Sequence, residues 1–124
     1  MIGILLIAGA ASAACASPVT QRDMNMCAAV DERRADAAIN KQWAVTYGAM
    51  KRRDARDTTR SGGPGFASAL LASQRVWLTF RDRQCVVQGL EAAGGSMQPM
   101  VIASCRATMT TERTKALAAL DVRK

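Results

Sequence analysis

Cys15, Cys27, Cys85 and Cys105 are the residues of this 124-residue chain whose chemistry is easiest to name. None of them forms a C-x-x-C pair, and the chain has no histidine, so the common zinc ligand sets cannot be assembled. In an oxidising compartment four such cysteines make two disulfides. Three connectivities are open. Cys85 and Cys105 stand at similar distances from the Gly94-Gly95 turn, so an antiparallel helix pair would set them level. That leaves Cys15 to Cys27, and this pairing is preferred. The missing histidine also removes the usual general base near neutral pH. Asp36 and Asp82 are the pair an acid/base mechanism would need, but nothing in the spacing brings them into one cleft. With no metal motif and no nucleophile signature, the chain reads as non-catalytic, without cofactor or metal.

The charged residues point to binding. Seventeen Lys and Arg against ten Asp and Glu give a formal net charge of +7, which favours anionic partners. Lys51, Arg52, Arg53, Arg56 and Arg60, with Asp54 and Asp57 among them, form a basic stretch. Cations at the end of a helix also complement its dipole, a purely structural reason for them. Aromatic residues are too few to interleave with the cations, so nucleic acid is not expected as a partner.

These residues need helices to position them. Alanine is abundant and aromatics make up 4%, which favours packed helices over sheets. A first helix opens at Thr20, with Asp23 three residues on as a variant capping box. Its apolar face runs Met24, Ala28, Ala35, Ile39, Trp43, Thr46 and Met50, to about Arg53. Ser61-Gly62-Gly63-Pro64-Gly65 marks a loop. A second helix spans about Phe66 to Ala92 and turns Leu70, Leu71, Gln74, Trp77, Leu78, Arg81 and Cys85 to one broad side. After Gly94-Gly95-Ser96, Pro99 suits the first turn of a third helix, which faces Ile102, Cys105, Met109, Ala116 and Leu120 inward. Short connections predict an all-α, antiparallel three-helix hairpin bundle stapled by disulfides, one domain over residues 15–124.

If the first loop turns near residue 59, helix positions summing to about 117 lie level. Trp43 then faces Gln74, Ile39 faces Leu78, and Asp36 faces Arg81. Asp36, Asn40, Gln74 and Arg81 would form a polar seam beside the apolar stripe, a network that fixes helix register. Trp43, Trp77 and Phe80 are assigned to the aromatic core.

Residues 1–14 read as a secretory signal peptide. Ile2 to Ala10 are apolar or small, Ala11-Ser12-Ala13 fits an A-x-A cleavage site, and the first charged side chain is Arg22. The run is well short of the ~20 residues that span a bilayer, so no permanent membrane span is expected. Acylation at Cys15 is the less favoured alternative, because Ser12-Ala13-Ala14 is a poor lipobox and would leave three cysteines. A periplasmic or secreted location follows, with the oligomeric state left open.

Several segments resemble the lysozyme inhibitor LprI-like domain. They are Thr20-Gln21, Met24-Asn25, Cys27-Ala28, Ala35-Asp36 and Ile39-Asn40, then the run Ser73 to Cys85 (SQRVWLTFRDRQC). Gly94-Gly95-Ser96, Pro99, Cys105, Thr110, Arg113 and Leu117 complete the likeness, which covers nearly all of the mature chain. Ile39 and Trp43 depart from it, standing where leucine and tyrosine are usual. The resemblance implies an exported helical domain that inhibits lysozyme by covering its substrate cleft with a loop or helix edge. A +7 inhibitor would be repelled by a basic lysozyme, so the contact would call for local acidity, and Asp31-Glu32 is the only adjacent acidic pair. A non-catalytic module for an anionic cell-envelope component is the alternative.

Overall fold

A computed structural model describes residues 15–57 and 62–122. The proposed leader, 1–14, and Arg60 lie outside the described residues. Among the described residues three long helices follow in order: α1 (Gln21–Arg56), α2 (Phe66–Gly89) and α3 (Gln98–Val122), with a short 3-10 turn at Leu90–Ala92. They run up, down and up, so α1 and α3 are parallel and α2 is antiparallel to both. At ~1.5 Å per residue, the 36 residues of α1 extend about 54 Å, against roughly 36 Å for the 24 of α2.

Both ends of α1, the start of α2 and the α2–α3 turn have identifiable causes. Thr20 Oγ1 accepts the Asp23 backbone N–H at 3.0 Å, which starts α1. Arg53 and Arg56 occupy its last turn, where cations complement the dipole. At the start of α2, Gly65 has no side chain to offer. Asp54 of α1 substitutes: its carboxylate accepts the Phe66 N–H at 2.8 Å and the Ala67 N–H at 3.0 Å. The α2–α3 connection turns at Gly94, whose φ of 78° lies in the left-handed region that glycine adopts without strain.

The interior has two unlike halves. Towards the α1–α2 loop, Ile39, Met50, Leu70 and Leu117 form a core with Trp43, Tyr47, Phe66, Trp77 and Leu120 packed against it. Towards the other pole, the buried apolar positions are Cys27, Ala28, Ala35, Cys85, Ala103 and Cys105. Small side chains let helices approach closely but bury little apolar area. Both disulfides lie in that half, joining Cys15 to Cys27 and Cys85 to Cys105. The second sits beside a tight α2–α3 crossing, where a Cβ on Gly89 would lie 2.6 Å from Ile102 Cγ1.

Two inward assignments from the sequence are corrected. Phe80 is 55% exposed and outside the core, whereas Leu78, 39% exposed, lines the groove with Ile39 and Trp43. Ala116 faces solvent, and its neighbour Leu117 is fully buried instead. Trp43 and Trp77 pack on the core from its margin.

Candidate functional site

A belt of charge crosses all three helices between the two halves of the interior. Arg81 of α2 is its centre, with only 13% of its side chain exposed. Its Nε and Nη2 donate to Asp82 Oδ1 at 3.0 and 2.9 Å, and Nη1 donates to Thr110 Oγ1 of α3 at 3.2 Å. The same Nη1 lies 3.5 Å from Asp36 Oδ1 of α1. Asp36 and Asp82 therefore meet as counter-ions of one arginine. Arg106 of α3 extends the belt to Glu32 of α1 at 3.4 Å. Its Nε is buried without a hydrogen bond, 3.6 Å from Asp82 Oδ1 and held there by charge alone.

The four seam residues line one groove but do not form one network. Asp36, Asn40, Gln74 and Arg81 share an open groove of about 530 Å³ between α1 and α2 with Ile39, Trp43, Leu71, Arg75 and Leu78. The groove exists because α1 packs chiefly along α3 and touches α2 more sparingly. Within it Gln74 turns to α3, where its Oε1 accepts the Arg113 Nε–H at 2.9 Å. Arg113 also donates to Ser73 Oγ at 3.0 Å, and desolvation lowers its pKa from the ordinary arginine value. Asn40 remains exposed at the groove's edge. Trp77 is flanked by two guanidinium groups, Arg81 at 5.5 Å and Arg113 at 5.8 Å from its ring. The polar side chains here are mostly engaged with one another, which suits setting the register of three helices better than holding a ligand.

The basic stretch forms the pole at the end of α1. Arg52, Arg53 and Arg56 border a small pocket of about 120 Å³ with Met50, Leu120 and Asp121. Arg53 stacks on Phe66 at 3.9 Å, and Lys51 lies over Tyr47 at 4.9 Å. Tyr47 in turn stacks on Trp43 at 5.0 Å.

A third surface lies on the solvent side of α2. Val76, Phe80, Val87 and Leu90 are 70, 55, 59 and 59% exposed, spaced so that they share one helix face with Arg83. Sequence reasoning misses this face because α2 carries apolar residues on both sides, so periodicity alone cannot assign Phe80 inward or outward. It also misses Asp54 and Arg113, whose partners lie 12 and 39 residues away. The acidic pair is not an acidic patch, since Glu32 is tied to Arg106.

Among the described residues, no group of three or more Cys, Asp or Glu is placed to hold a metal ion. None of the described helices is long and apolar enough to cross a membrane. The family model described as lysozyme inhibitor LprI matches residues 11–117. An uncharacterized protein of Rhizobium meliloti (strain 1021) is 40% identical over 104 residues, covering 83% of this chain and 75% of that protein. No solved structure matches.

Proposed function

The chain belongs to the lysozyme inhibitor LprI family, and on that premise we propose that it is an exported, non-catalytic protein that inhibits lysozyme by covering its substrate cleft. The family match across residues 11–117 carries this reading. Two disulfides support export, because such bonds persist in oxidising compartments. A helical body crosslinked by two disulfides supports cleft-blocking, since inhibition of this kind needs a preorganised surface and no chemistry of its own.

The test is the loss of muramidase activity on adding the purified, oxidised protein, against both basic and acidic lysozymes. Inhibition at low micromolar concentration, abolished by reduction, is the expected result. No inhibition of any lysozyme with both disulfides intact would overturn the reading.

The pocket bordered by Arg52, Arg53 and Arg56 favours a second reading, a binding module for an anionic envelope component. Retention on an anionic envelope polymer, lost in an Arg52→Ala/Arg56→Ala variant, is what that alternative expects.

A further inference from the structure

We propose that the outer face of α2 is the surface that enters the lysozyme cleft, with Arg83 directed at the catalytic carboxylates; this rests on the inhibitor reading above. Positions 76, 80, 83, 87 and 90 fall on one side of the helix, opposite the buried Gln74 and Cys85. Four of the five are large apolar side chains more than half exposed. Single exposed apolar residues are ordinary, but a stripe of them along α2 and into the turn that follows it marks a contact surface. From Val76 to Leu90 the stripe is about 21 Å long.

Arg83 is what commits the surface to this partner. Arg81, Arg106 and Arg113 are each tied to a carboxylate or an amide oxygen within the bundle. Arg83 is exposed and makes no ion pair with the described residues. It rises from the middle of the stripe, flanked by Phe80 and Val87. A glycosidase cleft carries two carboxylates about 5–9.5 Å apart across the scissile bond. Such a cleft concentrates negative potential even in an enzyme of positive net charge. An apolar ridge that excludes water around a central guanidinium is complementary to it, because charge-assisted pairs strengthen as water leaves. The repulsion expected between a +7 inhibitor and a basic enzyme then acts only at long range.

The experiment measures inhibition of a retaining lysozyme by the full chain and by Phe80→Ser, Arg83→Ala, Arg83→Glu and, as a charge-matched control, Lys41→Ala. Thermal melts establish that each variant folds. Expected are weakenings of about tenfold or more for Phe80→Ser and Arg83→Ala, the scale of hot-spot residues. Arg83→Glu should be weaker still, and Lys41→Ala should stay within about twofold. A double-mutant cycle read as binding affinity by calorimetry, since the altered enzyme has no activity to inhibit, pairs Arg83→Ala with a lysozyme whose ionised catalytic carboxylate is changed to its amide, and the two losses should be less than additive. If the parent chain inhibits and the folded ridge variants inhibit equally well, this surface is wrong and the inhibitor reading stands. If the parent chain inhibits no lysozyme, the inhibitor reading falls and the ridge with it. If Phe80→Ser turns a dimer into a monomer in sedimentation without changing inhibition, the face belongs to a second copy and the proposal is overturned.

Discussion

At the scale of single residues, two positions separate what spacing reveals from what packing decides. Leu117 is fully buried, whereas Ala116, assigned inward from the 3.6-residue period, is exposed. The period errs by one position because alanine at 116 sits as well on either face. Leu117→Ala should leave a cavity and destabilise the fold by about 2–5 kcal/mol, seen as a lower melting temperature. Ala116→Ser should lie within about 0.5 kcal/mol of the parent, as surface changes do. Asp54 is the second position. In the sequence it is an acid among arginines, and only the packing of α2 against α1 sets it on the first two N–H groups of α2. Asp54→Ala removes both bonds and a negative charge from a helix N-terminus. It should cost about 1–2 kcal/mol in a denaturant melt, more than an ordinary surface substitution.

At the scale of elements, the two halves of the bundle are stabilised differently, and perturbation should show it. The loop half has the large side chains; the other half has alanine, glycine and sulfur. Chain entropy gives the 20-residue and 12-residue disulfide loops about 3 kcal/mol each, slightly more for the longer. Replacing Cys85 and Cys105 together by serine should cost more than that. Cys85 is fully buried, and the Met109 sulfur packs 3.8 Å from its Sγ. Replacing Cys15 and Cys27 should cost less, and paired melts of the two double variants would rank them. Gly89 tests the same tight crossing. Alanine there gains about 1 kcal/mol of helix propensity, yet its Cβ would meet Ile102 Cγ1. Gly89→Ala should therefore lower the melting temperature, and adding Ile102→Ala should cost less than the sum of the two changes.

The helices themselves were legible in the sequence, because the Thr20 cap, the glycine turns and the apolar spacing agree on where they lie. The level pairing of Asp36 with Arg81 was legible too, since one loop position sets the whole register. The α2 outer face was not. Val76, Phe80, Val87 and Leu90 face away from Gln74 and Cys85, with Leu70 and Trp77 to one side, so apolar residues ring much of α2 and no period distinguishes them. The split of the seam was hidden for another reason. Whether Gln74 turns to Asn40 or to Arg113 depends on where α3 lies, and the α1–α2 register says nothing about that.

At the scale of the whole molecule, charge distribution separates the two readings of what this protein binds. Arg52 and Arg56 are exposed at the end of α1, and the net charge is +7. A contact made through that pole to an anionic partner is attractive at long range. Its association rate would fall steeply with added salt. Contact through the outer face of α2 to a basic lysozyme behaves oppositely. The two net charges repel during approach, so screening them removes a barrier, and the association rate should rise between low and physiological ionic strength. Once the ridge is seated, Arg83 is shielded from solvent ions, and the dissociation rate should change little over the same range. An acidic lysozyme would reverse the sign of the association effect while leaving dissociation insensitive to salt. Stopped-flow measurement of both rates against one basic and one acidic lysozyme, from about 10 to 150 mM salt, reads this directly. The Debye length shrinks from roughly 30 to 8 Å over that range. Association that accelerates with salt for the basic enzyme and slows for the acidic one would support a contact whose affinity is local and whose net charge is incidental. Association with the basic enzyme that slows with salt would mean that opposite charges steer the approach, so net-charge repulsion does not govern it.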